Sequence, residues 1–173
     1  MAPQQIFLRR RHRLTVVGAA VAASVFGSSF LAYGQDQSAA TPTDAIVARK
    51  TMMDSLSDRM DRLEMLISSG QKIDLAAAHD DADIISVLLA AFPHLFPPST
   101  NQWKPNVDRD PVTDTSAAPE VWTRYADFYK QAAAASKAAF NASRADQEGD
   151  FKASIAQLRT ACNTCHAAYM KMN

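Results

Sequence analysis

The chain has 173 residues, with 18 Lys plus Arg balanced by 18 Asp plus Glu, and only two cysteines. That length supports one ordinary domain with its own core and excludes two comfortable ones. Four of the basic residues lie within the first 13 positions, so no stripe of Lys or Arg remains elsewhere to grip nucleic acid, and that class of partner is excluded.

Residues 1–34 read as a cleaved secretory signal peptide. Arg9, Arg10, Arg11 and Arg13 precede an uncharged apolar run from Leu14 to Ala32, and Ala32 and Gly34 flank Tyr33 as a signal peptidase requires, which places the cut before Gln35. An uncleaved anchor is the alternative, because the run approaches the roughly 20 residues that span a bilayer. The arginine cluster lacks the hydrophobic pair that follows a twin-arginine signal, which favours export of the unfolded chain by the general secretory route to the periplasm. Removing the leader takes four arginines away and leaves 14 basic against 18 acidic side chains, a formal net of minus four. The mature protein is then mildly acidic, with no membrane attachment. Residues 35–42 are polar and small and form a flexible tail.

From residue 43 to 173 the pattern is helical. Thr43 or Asp44 is expected to cap a first helix in which Ile46, Arg49, Met53, Leu56, Met60, Leu63 and Ile67 recur at three- and four-residue steps up to Gly70. Arg49 alone breaks that stripe. Asp74 caps a second helix, running from about Leu75 to Phe92, where Pro93 stops it. Residues 93–118 carry five prolines and make a long connection, of the kind that is functional or mobile. Pro119 opens a third helix with Val121, Trp122, Tyr125, Phe128, Ala132, Ala135, Ala139 and Phe140 on its apolar face. The alanine run from Ala132 to Ala135 is either high-propensity filler or a surface that lets another helix or a flat cofactor approach closely. A last helix starts near Asp150, with Phe151, Ile155, Leu158, Cys162, Cys165 and Tyr169 along one side. No period-two segment interrupts them, so the expectation is an all-α, antiparallel up-down-up-down four-helix bundle.

Cys162, Cys165 and His166 stand at i, i+3 and i+4, which brings them to one helix face. A thiol oxidoreductase would set Cys-x-x-Cys beside a βαβ pattern, and a structural zinc site needs four ligands; neither is present. Covalent haem fits. Two thiols three apart add to the two vinyl groups on one porphyrin edge, and the adjacent histidine presents a ring nitrogen to the iron. A simple disulfide is the remaining alternative. Met53 lies on the stripe that faces the bundle interior, where its thioether can meet iron, while Met52 is roughly 100 degrees round the helix. Both are otherwise ordinary core filler.

With Cys162-Asn-Thr-Cys165-His166-Ala-Ala-Tyr169 at the end, Ala48-Arg49-Lys50-Thr-Met52-Met53 in the first helix and Pro119-Glu120-Val121-Trp122 opening the third, the chain resembles the class II c-type cytochromes. This is the cytochrome c prime family, and among its members the low-spin cytochrome c556 subgroup is the nearer likeness. The resemblance implies one covalent haem c per chain, His166 as proximal iron ligand and the first helix as the opposite wall. Met53 then occupies the position that is an apolar block in high-spin members and the sixth ligand in low-spin ones, with Met60 in reserve. Leu56, Met60, Trp122, Tyr125, Phe128 and Tyr169 are expected around the haem. High-spin members often carry a basic residue four after the histidine, where this chain has Met170. His79, between Asp80 and several alanines, is expected in solvent rather than on the iron.

A His/Met iron implies a one-electron carrier rather than an enzyme, since the apolar distal stripe offers no polar groups to cleave an oxygen bond. The alternative is a five-coordinate high-spin protein binding nitric oxide or carbon monoxide. Partners are redox proteins; Asp80, Asp81 and Asp83, with Asp54, Asp58 and Asp61 at helical spacing, are either a solvated helix face or a surface that steers a basic partner, and the family implies a homodimer through the first two helices.

Overall fold

The computed structural model describes residues 41–171. The expected signal peptide, and the expected tail up to residue 40, lie outside the described residues. Helix α1 spans Pro42–Ser68 and begins earlier than expected: Thr41 is the cap, not Thr43 or Asp44. The Thr41 hydroxyl accepts from the Asp44 amide at 3.2 Å and the Asp44 carboxylate accepts from the Thr41 amide at 2.7 Å, which makes Asp44 the third residue of a capping box. Pro42 suits the first turn, where its missing N–H costs nothing. Gly70, at φ +69°, takes the left-handed conformation that turns the chain out of α1.

Helix α2 spans Leu75–Ala91, capped by the Asp74 carboxylate on the Ala76 and Ala77 amides, as its sequence predicts. The chain then tightens into two 3₁₀ turns, Phe92–Leu95 and Pro98–Thr100. The expected third helix is broken. Glu120–Thr123 forms a single turn, α3, and α4 runs Tyr125–Ser143 after Arg124 leaves helical geometry at φ −126° and ψ 37°. The break lets two aromatic donors reach one stretch of backbone: Trp122 Nε1 donates to the carbonyls of Phe96 and Pro97 at 3.2 and 3.3 Å, and Tyr125 Oη to that of Pro93 at 3.0 Å. Periodicity does not see such tertiary anchors. Helix α5 spans Glu148–Tyr169, two residues longer at its start than expected, because Glu148 takes part in the first turn and accepts from the Ile73 amide at 3.0 Å.

The result is an all-α bundle whose third member is in two pieces. Asp83 meets Ser143, Ser86 meets Ser136 and Pro93 meets Tyr125, so α2 and α4 run antiparallel. Small residues at the seams, Ala78, Ala82, Ala135, Ala139 and Ala142, are all buried and let these helices approach closely around Leu63, Ile85, Phe151, Ile155 and Leu158. A second, aromatic cluster of Phe92, Phe96, Val121, Phe128 and Tyr169 packs the other end. Helix α1 packs on α2, α2 on α4 and α4 on α5, but α1 and α5 touch at few points. The ring of helices stays open on that side.

Two expectations follow for stability. Leu63 is fully buried, so Leu63→Ala should cost about 2–5 kcal/mol in chemical unfolding of the apoprotein. Asp81 holds Arg59 at 2.6 Å and Arg62 at 2.8 Å, and these guanidiniums, Arg62 foremost, keep its carboxyl below the usual value. A lowered folded value means that this contribution is present above the ordinary carboxylate range and is lost as pH falls through it, near 4 and below (about 3.9 for a free Asp). In Asp81→Asn, unfolding measured from pH 6 to pH 3 should show a shallower loss than the parent.

Candidate functional site

The open side between α1 and α5 is a cleft, and the Cys-x-x-Cys-His face of α5 points into it. Two adjoining cavities of about 250 and about 280 Å3 fill the cleft. Met53 from α1, Phe92, and Cys165, His166 and Met170 from α5 and its end line both cavities. Spacing along one helix thus brings the thiols and the imidazole together, and the fold sets Met53 across from them.

The remaining expected residues divide. Leu56 and Met60 line the larger cavity, with Cys162, Ala132 and Ala135; Phe128 and Tyr169 line the smaller. Trp122 and Tyr125 line neither. Trp122 packs behind the aromatic cluster that backs the wall, and Tyr125 is partly exposed, so their expected place around the haem is corrected to that of anchors for the 92–97 segment. His79 is half-buried rather than solvated, with its Nε2 at 3.0 Å from the Ala145 carbonyl, and lines neither cavity.

The electrostatics of the motif are those of neutral groups in apolar surroundings. Burial pushes the Cys162 thiol up; burial, then the neighbouring Cys162 and Asp127, push Cys165 up to about 11. Such thiols are protonated at neutral pH, the opposite of the low-pKa thiolate that a disulfide oxidoreductase needs, and both are free. Solvent reaches the His166 ring through the open cleft, yet desolvation by the walls and the charge of Arg159 hold its pKa below the usual value. The neutral imidazole this favours is the form that binds metal. Among the described residues no three His, Cys, Asp or Glu side chains converge as metal ligands.

Two wall features escaped periodicity. Arg49, which seemed to interrupt the α1 stripe, is buried in the wall of the smaller cavity. Its guanidinium donates to Thr100 Oγ1 at 2.9 Å and to Thr115 Oγ1, stacks 4.6 Å from the Phe96 ring, and has no carboxylate partner among the described residues. Burial lowers its pKa to about 10, which still leaves it charged at neutral pH. The second is the proline-rich connection: Pro111, Ser116 and Ala117 close one edge of the smaller cavity. Lys50 Nζ donates to the Pro111 carbonyl at 2.5 Å, and the amides of Ala118 and Lys171 donate to Tyr169 and Ser116 at 2.8 and 2.9 Å, which straps the connection across both helices. Trp103 lines neither cavity. The signal that could have found Arg49 is its i, i+4 relation to Met53 on a stripe that is otherwise apolar.

An open four-helix bundle whose last helix presents two neutral thiols and an imidazole to an apolar slot defines a protein that carries covalent haem. The sequence profile of the family described as Cytochrome C' matches residues 44–170, and the chain belongs to that family. Solved structures agree in fold. Cytochrome c prime from Shewanella frigidimarina superposes with a TM-score of 0.65 at 20% identity, over 76% of this chain and 98% of that one. Cytochrome c' from Rubrivivax gelatinosus gives 0.62 at 24%, over 75% and 97%. A nitric oxide complex of a cytochrome c prime variant from Alcaligenes xylosoxidans gives 0.64 at 20%, over 77% and 98%. Among curated protein sequences there was no match. The cofactor is haem c, attached through Cys162 and Cys165 on the C-terminal helix, and the family carries electrons rather than catalysing a reaction.

Replacing both thiols, Cys162→Ala with Cys165→Ala, should leave a protein whose pigment is extracted by acid acetone. The parent should keep all of its colour in the protein pellet.

Proposed function

We propose that this chain is a periplasmic one-electron carrier in which His166 binds the haem iron from α5 and Met53 binds it from α1. The observation that carries the reading is Met53: its side chain lines both cavities together with His166 and packs against both apolar clusters. This is the arrangement that suggests the low-spin subgroup. The haem supplies the redox-active iron; the chain's part is to hold it with two thioethers, keep water off one face and fix its ligands. A soft methionine ligand raises the reduction potential, and burial against Leu56, Met60, Phe92 and Phe128 disfavours the charged ferric state further. Arg49, a buried cation without a carboxylate partner among the described residues, suits a haem propionate, and it would hold that group at the wall of the smaller cavity.

Among the described residues no helix is long and apolar enough to cross a membrane. Export rests on the leader, and the redox partners on the family's electron-carrying role.

A second reading has its own support, and the weight of the comparisons lies with it. Structures similar to this chain include nitric oxide and carbon monoxide complexes of cytochrome c prime. In that reading Met53 shields a five-coordinate iron and yields to a small gas. The two separate by spectrum. A ferrous protein with a sharp low-spin alpha band, converted to a high-spin spectrum by Met53→Ala and reactive with carbon monoxide only then, is the expected result. A parent that is already high-spin and takes up carbon monoxide at once assigns gas binding instead, and an unchanged low-spin signature in Met53→Ala removes Met53 as ligand.

A further inference from the structure

The proline-rich connection reaches the wall of the cleft through two hydroxyls. Thr100 closes the second 3₁₀ turn, and Thr115 stands two residues before Ala117, which bridges to Met170 at the end of α5. Both threonines are buried, at 0% and 3% exposure. Both accept from Arg49 of α1, Thr100 Oγ1 from Nη1 at 2.9 Å and Thr115 Oγ1 from Nη2. Other bonds fix the hydroxyls in that role. Thr100 Oγ1 gives its one hydrogen to the Pro97 carbonyl at 2.8 Å, so only lone pairs are left to face the guanidinium. Thr115 Oγ1 also accepts from the Ala117 amide at 3.0 Å, and Arg109 Nη1 holds the Thr115 carbonyl at 3.0 Å.

The acceptors are neutral, and that is the informative point. A buried guanidinium is ordinarily paired with a carboxylate, because an uncompensated buried charge is strongly destabilising. Among the described residues no carboxylate pairs with Arg49. The two hydroxyls fix where the fork lies and leave its charge uncancelled; an aspartate at either position would fix it and cancel it. A guanidinium carries N–H donors on three nitrogens, and the threonines take one on each terminal nitrogen. The rest of the fork remains for a group from outside the chain. Arg49 lines the smaller cavity, as do Pro111, Ser116 and Ala117 of the same connection, and the Phe96 ring centroid, 4.6 Å from its carbon, holds it from the flank.

We propose that Thr100 and Thr115 are positioning residues for the haem: they hold the Arg49 fork in the wall of the smaller cavity without neutralising it, so that it grips one haem carboxylate, and they make the proline-rich connection part of the cofactor site. The proposal rests on the reading of Arg49 given above and adds what aims that side chain. Fixing the donors before the ligand arrives lowers the ordering cost of the contact.

The experiment is redox-difference infrared spectroscopy of holoprotein whose haem is 13C-labelled at its carboxyl carbons, with thermal unfolding of the same samples. Arg49→Gln should shift the label-sensitive carboxylate band. Thr100→Val with Thr115→Val keeps the shape, removes both acceptors and should reproduce that shift. Thr100→Ser with Thr115→Ser keeps the hydroxyls and should hold the band at the parent's position. Thr115→Asp separates aim from stability: its charged acceptor should leave the unfolding temperature at or above the parent's and still shift the band, because Arg49 is then satisfied within the chain. A band that moves in Arg49→Gln but not in the double valine variant, that moves as far with serine as with valine, or that stays in place in Thr115→Asp overturns the positioning role. Should the double valine variant not fold, each valine is read singly, with the same shift expected in smaller measure. No shift in Arg49→Gln overturns the carboxylate contact itself. A parent without the pyridine haemochrome of a doubly thioether-linked haem overturns the cofactor reading instead.

Discussion

The gap between α1 and α5 is the constraint on which the rest of the structure depends. Alanines at the α2–α4 seam draw those helices together, α5 docks on α4, and α1 docks on α2, which leaves one side of the ring without helix-to-helix packing. The gap is bracketed. At one end Arg159 grips Glu64 with two bonds of 2.6 and 2.7 Å; at the other, Arg49 and Lys50 hold the proline-rich connection, whose far end is bonded to the close of α5. The side chains that face this space are those a flat apolar cofactor with one metal would meet.

Charge is distributed around the cleft with the same economy. Buried Arg49 stands at one wall, and much of the remaining lining is methionine, leucine, alanine and phenylalanine. Arg49 is tied to two threonine hydroxyls, which keep its desolvation tolerable. Burial raises the pKa of both thiols, which does not suit a disulfide-exchange pair. Family membership joins this site to haem proteins that shuttle electrons.

Much of this was legible in the chain. The Cys162, Cys165 and His166 spacing identified the attachment helix without any coordinates, because two thiols and an imidazole at i, i+3 and i+4 have one common face. Helical periodicity located the bundle, and Met53 and Met60 fell on the stripe that reaches the cleft. Where the reading failed, an interaction distant in sequence had overridden a local preference. Arg49 looked like a flaw in a stripe because its partners, Thr100 and Thr115, are 51 and 66 residues away. Trp122 and Tyr125 shared a helical face with Phe128 on paper, but the turn at Arg124 redirected them to carbonyls of the 92–97 segment.

By itself the sequence determined the secondary structure class and the covalent chemistry of the last helix, since each depends on spacing along a continuous helix. Only the tertiary structure decided which side of the ring stays open and that a buried arginine is built into its wall. Those outcomes depend on the relative placement of four helices, which is set by packing and long-range hydrogen bonds that no local pattern encodes.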